Sequence, residues 1–329
     1  MDNEYAELEF IDEPIYIHGS PPLRIGTDCS GIEAPIQALR QLGIPHRHVW
    51  SSDIDKFCIQ SIKANYDPER LYGDLNGPYP DGDITKRDHS ILPDIDLYVC
   101  GFPCQPFSIA GYRKGIEDKR GNVFWSCLDV IKLKQPKYFI LENVKGLLSH
   151  DKENKKDKYG RTWSIIWNEI QGLEEFGYDV KWKVMNTRDY GIPQNRERVY
   201  IVGIKTKNFK LPEKTIMDNI EKYVDWSEKK ENLPSYIIEH LSIVVPNCVF
   251  LNNSFRRNPH VNSEKYCSTI TTTNRYWCIP CKRPMTINES LKLQGFSYFQ
   301  IDINKQQIFK QIGNSMSVNV VKAVLKCIL

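Results

Sequence analysis

Three features of this 329-residue chain predict an α/β architecture built on a largely parallel sheet. Short apolar runs alternate with longer amphipathic ones between residues 23 and 203, which is the pattern of βαβ units. Several of the apolar runs pass directly into polar turns bearing Gly, Asp or Glu, as the carboxyl ends of parallel strands do. The composition, 41% hydrophobic and 26% charged, is that of a folded globular chain. It excludes intrinsic disorder, a collagen repeat and a disulfide scaffold.

In chain order, residues 23–28 read as a first strand that ends at Ser30-Gly31. Residues 33–42 read as a helix stopped by Gly43. Residues 49–52 form a second strand closed by Asp53, and 96–100 a buried strand running into Gly101-Phe102-Pro103-Cys104. A further strand at 138–141 leads into Glu142-Asn143, and a late strand at 199–204 follows a polar, basic stretch. The alternation then fades. Residues 205–283 contain 13 Lys/Arg against 8 Asp/Glu, a local excess of basic charge. Thr286 and Glu289 are spaced as a capping box, so a helix begins there, and 318–329 read as a final apolar helix. The expected organisation is an N-terminal extension (1–22), a large α/β domain (23–204), a small irregular basic domain (205–283) and a C-terminal segment returning to the first domain (284–329).

Overall charge is nearly balanced, 44 Lys+Arg against 41 Asp+Glu, so a polyanionic partner would have to be met by local charge. The first ten residues carry four carboxylates and no apolar core, unlike a signal peptide. The ten cysteines are therefore expected as free thiols in a reducing compartment, in a soluble intracellular protein. Cys278-x-x-Cys281 lacks a second ligand pair at zinc-finger spacing and is read as structural, with no metal expected. No apolar run reaches the roughly 18 residues of a membrane span.

Ligands of open parallel sheets bind beyond the carboxyl ends of the strands. Four ends stand out. Asp28-Cys29-Ser30-Gly31-Ile32-Glu33 turns into a helix N-terminus, a place for polar groups of a cofactor. Asp53 can accept both hydroxyls of a ribose, or can serve as N-cap of the following helix. Asp74, between Gly73 and Leu75, is a third acidic turn. Cys104 follows a proline at a strand-to-loop junction, where a thiolate can act as nucleophile. Glu142 places a carboxyl at the neighbouring strand end, where burial can raise its pKa enough to donate a proton. A thiol paired with a carboxylic acid suits attack on an electron-poor ring. With no histidine adjacent to either, it does not suit peptide hydrolysis.

Taken together these residues resemble the cytosine-C5 DNA methyltransferases over nearly the whole chain. Gly101-Phe102-Pro103-Cys104-Gln105-Pro106-Phe107-Ser108 is similar to the catalytic Pro-Cys loop, and Arg120-Gly121-Asn122-Val123-Phe124-Trp125 to the cofactor-side motif that follows. Glu142-Asn143-Val144 matches Glu-Asn-Val, and Gln194-Asn195-Arg196-Glu197-Arg198 matches Gln-x-Arg-x-Arg. Lys310-Gln311-Ile312-Gly313-Asn314-Ser315 resembles the last motif. The resemblance implies a Rossmann-like methyltransferase sheet with a small, irregular target-recognition domain, and S-adenosylmethionine as methyl donor. Cys29, Ser30, Gly31 and Ile32 would then line the cofactor. Asp53 would hold its ribose, Ile54 would lie on the adenine, Asp74 with Leu75 would face the adenine edge, and Pro103, Val123, Asn314 and Ser315 would complete the pocket. Cys29, Glu33 and Ala34 stand where the family has an aromatic residue and two glycines. Glu33 is then expected to bind the cofactor's ammonium group or to charge the helix N-terminus favourably.

The implied catalytic set is Cys104, Glu142, Arg198 and Arg196. Cys104 adds to C6 of cytosine, Glu142 serves N3 and Arg198 holds O2, and a duplex substrate requires base flipping. Double-stranded DNA would meet Gln105, Arg113, Lys114 and Arg120 on a closing loop, together with Lys119. Arg256, Arg257 and Arg275 of the small domain, with Asn252, Asn253, Asn258 and Asn274, offer side chains for base edges or phosphates. Residues 268–273 are expected to form a return strand at the domain border. The alternative nucleic acid is transfer RNA, whose C5 methyltransferases share the Pro-Cys and Glu-Asn-Val motifs but carry a Cys-Phe-Thr signature not found here. A monomer is expected, acting as a stand-alone modification enzyme in a bacterial restriction–modification pair or a viral genome.

Overall fold

β1, Leu23–Asp28, occupies the residues expected of it. α1 is shorter than the periodicity suggests, Ala34–Gln41, because Glu33 adopts a left-handed conformation (φ 57°, ψ 50°) and cannot join the helix. It ends where Gly43, at φ 64°, lets its own N–H reach Arg40 O and that of Ile44 reach Leu39 O. β2 (His46–Ser52), α2 (Lys56–Asn65), β3 (Arg70–Tyr72), β4 (Leu97–Cys100), α3 (Val123–Lys134) and β5 (Tyr138–Val144) continue the alternation. α4 (Arg161–Gln171), β6 (Asp179–Asn186), β7 (Gln194–Asn195) and β8 (Glu197–Ile204) complete this part of the chain. The structure is a computed structural model that describes residues 21–103, 123–154, 156–206, 208–241, 247–253, 263–273 and 275–329.

Seven strands form one sheet in the order β3-β2-β1-β4-β5-β8-β6. β3 through β5 are parallel, and β8 runs antiparallel to both β5 and β6. Alternate residues feed two separate cores. Leu97, Val99, Ile140, Tyr200 and Val202 pack into one with α1 and α8, whereas Tyr98, Cys100, Phe139, Leu141, Val199 and Ile201 pack into the other with α3 and α4. Burial on both faces explains why the central strands read as continuous apolar runs. Each fully buried large aliphatic side chain contributes roughly 1.5–3 kcal/mol, so the sheet edge that carries the polar residues rests on a rigid layer.

Beyond β8 the elements are short: α5 (Ser235–Leu241), β9 (Phe250–Asn252), β10 (Cys267–Ser268), β11 (Tyr276–Cys278) and β12 (Arg283–Pro284). β9, β11 and β12 make an antiparallel sheet in the order β12-β11-β9. The expected strand at 268–273 is corrected to the two residues of β10, which pair with β7. After Ser268, side chains rather than a ladder hold the backbone. Thr269 Oγ1 donates to Asn195 O, Gln194 Oε1 accepts from Ile270 N, and Arg196 donates to Ile270 O.

Three helices close the chain: α6 (Ile287–Leu293), α7 (Lys305–Asn314) and α8 (Val318–Ile328). The expected capping box is formed in full, since Thr286 Oγ1 accepts from Glu289 N and the Glu289 carboxylate accepts from Thr286 N. Arg283, 2.8 Å from Glu289, neutralises that buried carboxylate. α8 sets its apolar stripe of Val320, Val321, Val324 and Leu325 in the same core as α1.

Gly313 lets α7 meet the 269–273 segment, because a Cβ there would lie 2.3 Å from the backbone of Thr271. Backbone cannot rotate aside as a side chain does. Gly313→Ala is expected to lower unfolding stability by about 1–3 kcal/mol in urea titrations. An unchanged midpoint would contradict this packing.

Candidate active site

The parallel strands deliver their carboxyl ends to one edge of the sheet, and the reversed β8 brings its beginning to the same edge. Register shows the alignment: Asp28 pairs with both Ser52 and Cys100, Cys100 with Leu141, and Val144 with Arg198. Residues distant in sequence therefore meet without long side-chain reaches.

On one side of this edge lies an acidic, partly apolar set. Asp53 is not the N-cap of α2. That role falls to Asp55, whose Oδ1 accepts from Phe57 N at 3.0 Å. Asp53 Oδ2 accepts from Gly31 N and its Oδ1 from Asp55 N, both at 2.9 Å, so each oxygen retains capacity for a further hydrogen bond. Burial pushes the Asp53 carboxyl up, against the opposing pull of those N–H groups. Next to Asp53 and Asp74 stand Ile54 and Leu75, 80% and 76% exposed. Asp74 is held below the usual carboxylate range by Lys63, whose Nζ lies 2.9 Å away.

Ser30 Oγ accepts from Ser52 N at 2.9 Å and so ties the first turn to β2. Cys29 is half-buried with φ 49°. Two expectations are corrected. Ile32 is 1% exposed, and its side chain belongs to the core with α1 and α8. Glu33 is wholly buried beneath the turn and bound by Thr27 and Ser51, so it does not reach a ligand's ammonium. Pro103 and Asn314 are exposed and Val123 half-buried, while Ser315 is buried with its carbonyl engaged by Arg196.

On the other side, Glu142 is 8% exposed and its Oε1 lies 3.3 Å from Arg198 Nε. Burial raises its pKa, and the charges of Arg198 and then Arg196 oppose that shift. A Cβ on Gly101 would lie 3.5 Å from Glu142 Oε2, so this carboxyl borders the strand end that leads to Cys104. Asn143 fastens the same junction, its Nδ2 donating to Phe102 O at 2.8 Å while its Oδ1 accepts from Val144 N. Reading the sequence gave Asn143 no role of its own. Its place beside Glu142 in the motif was the available signal.

Arg196 also departs from expectation. It is 1% exposed, and its terminal nitrogens donate to Ile270 O (3.0 Å), Gly313 O (3.0 Å) and Ser315 O (2.7 Å). A guanidinium so enclosed cannot meet a substrate, and its contribution is to hold chain segments together. Asn252 is likewise withdrawn from base reading, for it is fully buried and donates to Ser268 Oγ and Tyr276 OH. Asn253 Oδ1 lies 3.0 Å from the buried His240, and Arg275 is exposed. Cys104, Gln105, Arg113, Lys114, Lys119, Arg120, Arg256, Arg257, Asn258 and Asn274 lie outside the described residues.

Among the described residues, no group of three or more His, Cys, Asp or Glu is arranged to hold a metal ion, and no helix is long and apolar enough to cross a membrane. A cavity of about 310 Å³ opens elsewhere, between α1, α8 and the turn at Tyr190, and is lined by none of the expected site residues.

The family model for C-5 cytosine-specific DNA methylases matches residues 28–329. The chain belongs to that family. It is a DNA cytosine-5 methyltransferase with an α/β Rossmann-like methyltransferase fold. It is 38% identical to the type II methyltransferase M.SsoII of Shigella sonnei, over 85% of this chain and 73% of that one. It is 37% identical to M.NgoBI of Neisseria gonorrhoeae, over 85% of each. An orphan methyltransferase of Bacillus phage rho11s is 43% identical over 56% of this chain and 33% of its own. Among solved structures, a DNMT2 from Spodoptera frugiperda superposes with a TM-score of 0.66 at 16% identity, covering 93% of this chain and 99% of that one.

For this methyltransferase the Glu142 environment has a consequence in pH. A carboxyl harder to ionise when folded contributes stability that is complete below its unfolded-state pKa and is lost as pH rises through the folded value. Glutamine cannot ionise and escapes that loss. Glu142→Gln, which also removes the proton that the family resemblance assigns to cytosine N3, is expected to cut methyl transfer by about 10²–10⁴-fold. In thermal unfolding it should melt above the wild type near about pH 8, with the gap closing towards about pH 4. A variant less stable than wild type at the higher pH would contradict the buried-carboxyl account.

Proposed function

We propose that the chain transfers a methyl group from S-adenosylmethionine to C5 of a flipped-out cytosine in a short duplex sequence, through a covalent bond between Cys104 and C6. The observation that carries this reading is the pairing of the buried Glu142 with the half-buried Arg198, at the strand end next to the one that leads to Cys104. Cytosine C5 is a poor nucleophile and must first gain electron density. Addition of the Cys104 thiolate to C6, with a proton passed from Glu142 to N3, supplies it. Arg198, already against Glu142, would hold O2. After methyl transfer, a water molecule takes the C5 proton, the C6–sulfur bond breaks to return Cys104 as its thiolate, and N3 gives its proton back to Glu142.

The described residues fit the donor. When bound, S-adenosylmethionine supplies an electrophilic methyl group. Asp53 has acceptor capacity left for ribose hydroxyls, and Ile54 and Leu75 offer exposed apolar surface of the kind a purine covers. Asp74 adds an ionised acceptor for an exocyclic amine. Cys29, Ser30, Gly31, Pro103, Val123, Asn314 and Ser315 would form the remaining walls.

In this reading residues 23–204 with 284–329 form the catalytic domain and 205–283 the target reader. Double-stranded DNA would be met by Gln105, Arg113, Lys114, Arg120, Arg256, Arg257 and Arg275, with phosphate contacts setting position and base-edge contacts setting sequence. The type II relatives favour DNA over transfer RNA, and the bacterial and phage sources favour an intracellular site of action in a bacterium or a phage-infected host; a monomer belongs to the same proposal.

Bisulfite sequencing of DNA from cells expressing the protein tests the proposal. Protection of cytosine in one short motif is expected, disappearing in Cys104→Ala. Methylation retained by that variant, or methyl groups found in transfer RNA but not DNA, would overturn it.

A further inference from the structure

The turn after β1 contains three left-handed residues at alternate positions, Cys29 (φ 49°), Gly31 (φ 57°) and Glu33 (φ 57°). Glycine takes this conformation freely, whereas a glutamate is strained in it. A glycine would suit the local backbone at Glu33, and the glutamate needs compensation from elsewhere. Its surroundings show where that comes from.

Glu33 Oε1 accepts from Thr27 Oγ1 and from Ser51 Oγ, each at 2.6 Å, in a site with no solvent exposure. His48 Nε2 stands 3.4 Å from the same oxygen and 2.8 Å from Ser51 Oγ. Because Thr27 and Ser51 each give their single hydroxyl proton to the carboxylate, the direction of the bond to His48 follows. Ser30 Oγ lies 2.7 Å from Thr27 Oγ1 and donates to Thr27 O at 3.1 Å, and His48 Nε2 must donate to Ser51 Oγ. Ser30 Oγ in turn accepts from Ser52 N. One residue on, Gly31 N donates to Asp53 Oδ2. The buried carboxylate is thus the common acceptor of a hydrogen-bond chain that runs from β2 through β1 to the turn holding Asp53 in place.

We propose that Glu33 is a positioning residue for methyl-donor binding. From beneath, it holds the Cys29–Gly31 turn in the strained form that sets Asp53 for a ribose. It contacts neither the donor nor the base. Its contribution is preorganisation, so its loss raises the donor's dissociation constant rather than slowing chemistry at saturation. This rests on the proposal that S-adenosylmethionine is the donor.

The test is calorimetric titration of the full chain with S-adenosylhomocysteine, alongside donor KM, kcat and DNA binding. Glu33→Gly relieves the backbone strain while removing the acceptor, and is expected to weaken binding about tenfold, with kcat at saturating donor and DNA affinity changed less than about twofold. Glu33→Gln keeps an oxygen for both hydroxyls and is expected to restore most of the affinity. Ser51→Ala removes one bond with little risk to folding, and is expected to weaken binding about threefold. Wild-type affinity in Glu33→Gly or in Ser51→Ala would overturn the positioning role. So would a fall in kcat and DNA binding that matches the loss of donor affinity. No binding by the wild type would overturn the donor assignment, and this inference with it.

Discussion

The active edge depends on one buried cation. Arg196 sits just before β8 and donates to carbonyls of Ile270, Gly313 and Ser315, which lie 74 to 119 residues further along the chain. Burying a charge costs several kcal/mol unless dipoles replace the lost water; these carbonyls offset part of that cost, while burial still pulls the Arg196 pKa down to about 9. The two glutamines around it extend the join, with Gln194 donating to Leu293 O and Gln294 to Ile312 O. Neither the 269–273 segment nor the α7–α8 turn has a strand ladder to hold it there. The guanidinium and amides substitute for one, which is why a residue resembling a catalytic arginine proves to be a clamp.

What the clamp secures is electrostatic. Two residues beyond Arg196, Arg198 enters β8 opposite Val144 and meets Glu142. The carboxyl is caught between opposing influences, desolvation that favours its protonated form and two guanidinium charges that favour ionisation. Desolvation prevails, so this carboxyl holds a proton more readily than a free glutamate does. Asn143 keeps the neighbouring Phe102–Pro103 junction in register with it. Fold and chemistry therefore meet at a few bonds between strand ends, above the two apolar cores that stiffen the sheet.

Much of this was legible from residue order. β1, the end of α1 at Gly43 and the capping box of α6 appear where local patterning places them, since each depends on neighbours within a few residues. The strand-end residues Asp53, Glu142 and Arg198 also came from pattern and motif. Failures arose where long-range contacts decided which way a polar residue faces. Glu33 lies under the turn instead of in the pocket, Ile32 joins the core, and Arg196 and Asn252 are spent on the chain's own groups. The strand expected at 268–273 failed for the same reason, because its backbone is bound by side chains distant in sequence. The network of Thr27, His48 and Ser51 left no trace in any motif.

The most direct measurement of the central claim is mass spectrometry of the protein incubated with S-adenosylmethionine and duplex DNA carrying 5-fluorocytosine in its recognition sequence. Fluorine at C5 cannot leave as a proton does, so the reaction should halt after methyl transfer. The account predicts a stable adduct in which the peptide containing Cys104 carries the methylated base, absent in Cys104→Ala. DNA methylated on unmodified cytosine with no adduct on the fluorinated duplex would contradict it.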